Sequence, residues 1–141
     1  MTEILYAREQ SLSVDDYIRV VGASALGSTR PLNDRARVAA MLRGADLIVT
    51  ARLDGECVGL GRCLTDFAWV AYLGDLAVSE KHQGKGIGRG LMLKLKEELG
   101  PDVGLALLSM PGAKPFYDNA GPDLGLKPNA DAYYMTRTRG V

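Results

Sequence analysis

The sequence predicts an α/β (α+β) protein: a mixed, mostly antiparallel sheet with one parallel strand pair, flanked by helices. Three observations carry this. The β-rich runs at residues 47–53, 57–64 and 69–78 follow one another with only short turns between them, which is the pattern of an antiparallel meander. Ile87, Leu91, Leu95 and Leu99 then recur at a spacing of four, with Lys94, Lys96, Glu97 and Glu98 elsewhere, which marks an amphipathic helix. A short apolar run at 103–108 comes next, and strand, helix, buried strand in that order implies a parallel pair.

The remaining elements fall around this frame. Residues 4–8 read as an opening strand. Ser13, followed by Val14, Asp15 and Asp16, has the form of an N-cap with acids in the first turn and predicts a helix to about Leu26. Residues 27–32 carry Gly, Ser, Thr and Pro and read as a loop. Asn33 or Asp34 can cap a second helix through Val38, Met41 and Leu42, ended by Gly44. The turns Asp54-Gly55-Glu56 and Thr65-Asp66-Phe67 close the two hairpins, and Gly100 with Pro101 stops the amphipathic helix. Residues 111–120 can hold one short helix, and 132–137 supply a last strand. With no internal repeat, low-complexity tract or linker, 141 residues predict a single domain over 1–141, large enough to bury a core without staples.

Seventeen basic and seventeen acidic side chains cancel, so no global field draws the chain to nucleic acid or to an anionic membrane. The longest apolar runs fall far short of a membrane span, and Glu3 stands where a signal peptide carries base. Cys57 and Cys63 share one strand, with roughly 20 Å between them, too far for a disulfide within it. Two thiols so placed make no metal site either. Together these features predict a soluble cytoplasmic protein with neither nucleic acid nor membrane as partner and no metal.

The most informative segment runs from Leu76-Ala77-Val78 through Gln83-Gly84-Lys85-Gly86-Ile87-Gly88-Arg89-Gly90. Glycines between a strand end and a helix start let backbone N–H groups approach an anion, and a helix N-terminus favours phosphate or pyrophosphate there. Spacing excludes two familiar ligand classes. Lys85 is followed by Gly86 rather than Ser or Thr, so the turn is no Walker A loop. Arg89 and Leu91 stand three residues after Gly86 and Gly88, so the dinucleotide fingerprint fails as well. The plain alternative is a tight strand-to-helix turn with no ligand.

Gln83, Gly86 and Gly88 match Gln/Arg-x-x-Gly-x-Gly/Ala, five residues beyond a strand ending Leu76-Ala77-Val78. Here the chain resembles the GNAT superfamily of N-acetyltransferases, and the resemblance runs from the opening strand to Pro115-Phe116-Tyr117. It implies a GNAT-type sheet whose parallel pair splays apart. It also implies acetyl-CoA as co-substrate, with pantetheine along Leu76, Ala77 and Val78 and pyrophosphate on Gln83, Gly84, Lys85, Gly86, Ile87, Gly88 and Arg89. Phe116 would lie beside the cofactor, and Tyr117 would be the phenol near the thioester sulfur. A homodimer is expected at family level only.

An alkyl amine of pKa about 10.4 costs roughly 4.6 kcal/mol to neutralise at pH 7, which warrants a base. Relatives often carry Glu or His at positions that fall here on Tyr72 and Gly74, and neither is an ordinary base. Asp75 between them, or Asp66 in the hairpin, can act as base through water, although exposed turn aspartates are usually turn formers, and Tyr72 can instead line the acceptor pocket. Two further departures are Met110, where many relatives have Asn, and the segment Gly121-Pro122-Asp123-Leu124-Gly125-Leu126, longer than the usual Gly-Phe. His82 reads as a solvated loop residue and Trp69 as core or pocket wall; Arg62 with Arg52 and Arg35 with Arg37 can form basic surface near the cofactor, but read more simply as solvated faces. The leading expectation is an acetyltransferase acting on a primary amine of a small molecule or peptide. A non-catalytic acyl-CoA-binding or regulatory module stays open beside it.

Overall fold

Strand β1 (Ile4–Glu9) begins a five-stranded sheet that continues with β2 (Leu47–Leu53), β3 (Glu56–Thr65), β4 (Val70–Val78) and β5 (Gly104–Leu107) in that spatial order. The first four strands are antiparallel, and β5 runs parallel to β4. The computed structural model describes residues 3–129 and 131–139. The chain forms two compact units, Met1–Leu108 and Ser109–Val141, and the whole sheet belongs to the first.

Local chemistry sets the turns. Asp54 and Gly55 both take positive φ, 51° and 82°, as a two-residue hairpin turn of the type that matches strand twist requires. In the second hairpin Asp66 Oδ1 accepts from the N–H groups of Ala68, Trp69 and Val70. Those bonds hold its pKa below the usual carboxylate range and mark Asp66 as a turn former.

Helix α1 (Val14–Gly22) starts where Ser13 accepts from the Asp16 N–H, and α2 (Arg35–Arg43) where Asp34 accepts from the Arg37 N–H. Of the two caps open in the sequence, the side chain used is Asp34. The first helix does not reach Leu26. Ser24 donates to the Val21 carbonyl and accepts from the Leu26 N–H, which diverts the chain into a 3₁₀ turn over Ala25–Thr29. Such local side-chain bonds compete with helix propagation.

The two sheet faces carry different helices. Tyr17, Val20 and Val21 of α1 and Val38 of α2 join Ile48, Cys57, Leu60 and Ala77 in one core. Helix α3 (Ile87–Leu99) buries Ile87, Leu91, Met92, Leu95 and Leu99. It packs on the opposite face, where a Cβ on Gly59 or Gly61 would meet Ile87, Leu91 or Leu95, since neighbouring residues of a strand point to opposite sides. Cys57 and Cys63 are both free and buried, with burial pushing their thiols up to about 11 and about 12. Among the described residues no helix is long and apolar enough to cross a membrane.

Two irregularities shape β4. Arg62 pairs with Asp75 while Cys63 pairs with Leu73, so Gly74 is an extra residue on β4. This bulge turns Asp75 to the face opposite Leu73, because one inserted residue reverses the alternation. On the other edge β4 pairs with β5 only from Val70↔Gly104 to Leu73↔Leu107, and residues 74–78 have no β5 partner.

In the second unit, a 3₁₀ turn at Pro111–Ala113 leads into α4 (Lys114–Leu124). This helix runs past the predicted end at residue 120 and through Pro122, and Gly125 at φ 72° closes it. Pro122 lies in the last turn, where it has no N–H to offer the carbonyl of Asp118 one turn earlier. The strand expected at 132–137 does not form: none of residues 131–139 lies in a regular element. Its residue types suit a strand, but a strand needs a ladder partner, and propensity does not supply one.

Leu95 is fully buried under the sheet. Leu95→Ala is expected to lower the unfolding free energy by about 2–5 kcal/mol, measured by urea denaturation.

Candidate active site

After Val78 the chain turns through Ser79 and a 3₁₀ turn at Glu80–His82 into the glycine segment. The Gln83 side chain reaches back and donates from Nε2 to the Val78 carbonyl at 2.9 Å. The Glu80 N–H donates to the Ala23 carbonyl at 2.8 Å, tying the turn to the end of α1. Gly86 is the N-cap of α3 at φ 80°, a conformation open to glycine at little cost. No atom lies within 4 Å of where a Cβ on Gly84 or Gly86 would stand, so the space above the turn is clear. The first N–H groups of a helix have no intrahelical acceptor. Among the described residues no backbone carbonyl takes up those of residues 84–88.

The turn therefore presents a set of donors at the positive end of a 13-residue helix, a combination suited to a pyrophosphate. Next to it, Leu76, Ala77 and Val78 lie in the stretch of β4 without a β5 partner. An open parallel edge offers backbone N–H and C=O groups that an amide-bearing ligand can pair with. Ile87 is buried in the core, while Lys85 and Arg89 are exposed.

The bulge places a buried ionic cluster beside this edge. Asp75 is 1% exposed. Its Oδ1 accepts from Arg30 Nε at 2.5 Å, and its Oδ2 accepts from Arg62 Nε at 2.6 Å and from the Tyr17 hydroxyl at 2.8 Å. Arg30 also donates from Nη2 to the Gly74 carbonyl at 2.7 Å and from Nη1 to the Thr29 hydroxyl at 2.8 Å. Burial by itself would raise the Asp75 pKa. The charges and hydrogen bonds of Arg62 and Arg30 outweigh it and hold the carboxyl below its usual range. Tyr17, buried and facing that carboxylate, is shifted up and stays a donor.

Several residues read as bland or left unnoticed in the sequence belong to this cluster. Arg62 is no solvated face: its side chain is 13% exposed and paired with Asp75. Arg52 likewise pairs with Glu9. Arg30 and Tyr17 carried no motif signal. What could have found the cluster is the charge at Asp75 inside an apolar run, which demands a counter-ion across the hairpin. Tyr72 pairs with Leu64 and Ala106 and is 39% exposed. Trp69 is 78% exposed at the mouth of the hairpin, which removes it from the core. His82 has its Nδ1 enclosed without a partner among the described residues, and no group of potential metal ligands occurs among them.

In the second unit Phe116 and Tyr117 sit on the first turns of α4 with their rings edge to face, 5.0 Å between centroids. Burial raises the Tyr117 pKa, which keeps the phenol protonated at neutral pH.

The acetyltransferase (GNAT) family model matches residues 16–121. No curated protein matches the sequence. Among solved structures, a candidate acetyltransferase from Deinococcus radiodurans is 26% identical, with 97% of this chain and 94% of that one covered and a TM-score of 0.72. A ribosomal-protein-alanine N-acetyltransferase from Brucella melitensis is 17% identical over 97% of this chain and 100% of its own, with a TM-score of 0.71. An aminoglycoside N-acetyltransferase crystallised with CoA is 13% identical over 99% and 97%, with a TM-score of 0.68. The last two likenesses are of fold.

The folded-state pKa of Asp75 lies below its unfolded value of about 3.9. Its pairing is therefore fully stabilising above about pH 5 and is lost as pH falls through the depressed folded value. Asp75→Asn leaves two cations without their anion and is expected to cost about 3–5 kcal/mol at neutral pH. Urea denaturation across pH should show that gap narrowing below about pH 4.

Proposed function

Because the chain belongs to the GNAT acetyltransferase family, we propose that it is an acetyl-CoA-dependent N-acetyltransferase. In this reading it works as a single domain over residues 1–141 and moves an acetyl group to a primary amine of a small molecule or peptide by direct attack in a ternary complex. The observation that carries the reading is the junction of β4 and α3. A strand edge without a β5 partner at residues 74–78 runs straight into a glycine turn whose N–H groups at 84–88 have no backbone acceptor among the described residues.

Acetyl-CoA fits this arrangement at both ends. The free N–H groups of the turn match a pyrophosphate, and the clear space above Gly84 and Gly86 admits it. Leu76, Ala77 and Val78 offer their backbone to the amides of the pantetheine arm. Gln83 keeps the turn shut against Val78, so the donors are held in place before the ligand arrives. When bound, the thioester supplies the activated acetyl group.

The departing thiolate needs a proton, and Tyr117 is assigned as its donor. The assignment rests on its place after Phe116 and on the raised pKa that keeps the hydroxyl protonated. The acceptor amine must lose a proton. Asp75 is a poor base for this, because both its oxygens are taken by Arg30, Arg62 and Tyr17 and its pKa lies low. We assign that proton to water, with Tyr72, half exposed on β4, lining the acceptor pocket. The lack of a free side-chain base on this strand is also what favours the second reading, a non-catalytic acyl-CoA-binding module. Thiol release from acetyl-CoA with a panel of amines separates the two.

Gly86→Val puts a β-branched side chain at φ 80° in front of the donors. It is expected to raise the acetyl-CoA dissociation constant at least about tenfold by calorimetry, and unchanged affinity would sink the assignment of the turn. Tyr117→Phe removes only the hydroxyl. General-acid loss costs about 10²- to 10⁴-fold. We therefore expect kcat to fall at least about tenfold with Tm and cofactor affinity little changed, whereas an undiminished kcat in the folded variant would take Tyr117 out of the reaction.

A further inference from the structure

The Arg62 guanidinium is engaged on one side only. Its Nε donates to Asp75, yet among the described residues its Nη1 and Nη2 groups have no hydrogen-bond partner in the protein. They are not sealed off either, since the one enclosed side-chain polar atom without a partner among those residues is His82 Nδ1. A Cβ on Gly74 would stand 2.8 Å from Arg62 Nη2. The guanidinium thus lies against the bulge residue at the point where β4 leaves β5.

The charge at this point is unbalanced. Two guanidiniums, Arg30 and Arg62, face one carboxylate, Asp75. Arg30 is committed through Nε, Nη1 and Nη2 to Asp75, Thr29 and Gly74, so Arg62 is the cation with donors to spare. A planar fork with both Nη groups free matches a carboxylate in shape. The surplus of one positive charge also suits a monoanion better than a phosphate dianion.

Resting on the reading that acetyl transfer takes place along the open stretch of β4, we infer that the acceptor is an amine that also carries a carboxylate. The Arg62 Nη groups bind that carboxylate. Arg62 is then a specificity-determining residue: Asp75 holds its Nε edge, and the opposite edge reads the acceptor. The neighbouring charge serves the chemistry too, since a cation beside the acceptor disfavours the ammonium form of its amine and lowers the cost of the proton loss.

The test compares the common α-amino acids with their α-amides, which differ in the charge of the group that Arg62 would read; the amide's amine loses its proton more easily, so a preference for the acid cannot come from amine basicity. In a thiol-release assay with acetyl-CoA, at least one acid should show kcat/KM about tenfold or more above its amide in the parent protein. Arg62→Gln should bring that ratio below about threefold, and Arg62→Lys, which keeps the charge and loses the fork, should fall between. Equal rates for acid and amide throughout, or a preference that survives in folded Arg62→Gln, would overturn the inference. If no amine releases thiol, calorimetric titration of the parent protein–CoA complex with the same pairs decides. About tenfold tighter binding of an acid would sustain the carboxylate site while the transferase reading fails, and no difference would overturn the site. The comparison within the parent stands whether or not either variant folds.

Discussion

Everything near the candidate site depends on one buried carboxylate. Asp75 sits in the sheet without access to solvent, a position that is costly unless its charge is matched. Arg62 matches it from the neighbouring strand, Arg30 from the connection between α1 and α2, and Tyr17 from α1 itself. One side chain thus ties three separate parts of the chain to the middle of β4. The bulge at Gly74 is what makes this geometry available. Were Gly74 a regular ladder residue instead of a bulge, Asp75 would share a face with Leu73, under α3, where the neighbours are Leu91, Leu95 and other apolar side chains.

The same cluster fixes the backbone that a ligand would meet. Arg30 caps the Gly74 carbonyl and Gln83 caps the Val78 carbonyl, so the open edge of β4 is held at both ends. The Glu80 N–H to Ala23 carbonyl bond then anchors the turn to the end of α1. The helix that carries the phosphate-type donors is itself pinned by Ile87, Leu91 and Leu95 in the core. Donors so rigidly placed reorganise little when an anion arrives, which is the physical advantage of putting a binding site on secondary structure.

Much of this was legible in the residues. Strand β2 over Leu47–Leu53 and helix α3 over Ile87–Leu99 fall on the bounds that periodicity predicts, because both carry uninterrupted patterns closed by strong punctuation: Asp54-Gly55 after the strand, Gly100 after the helix. Ser13 and Asp34 cap as local chemistry requires. Where the reading failed, either a local side-chain bond or a partner distant in sequence had decided the outcome. Ser24 ended α1 early by bonding its own backbone neighbours, and α4 ran on through Pro122 to its cap at Gly125. Residues 132–137 had the composition of a strand but no ladder to join. Arg62 and Asp75 read as a surface charge and a water-linked carboxylate, since nothing along the chain reveals a pair formed across a bulged hairpin.

The sequence by itself determined the period of the elements, their order as far as α4, and the glycine turn between β4 and α3, whose chemistry suits an anion. All of these arise from interactions within a few residues: side-chain alternation, capping, and the φ that only glycine takes easily. The tertiary structure alone decided which face Asp75 occupies, which cations meet it, and that the outer donors of Arg62 have no partner among the described residues. Those outcomes depend on strand register, and a shift of one residue, invisible to any local pattern, exchanges one face of the sheet for the other.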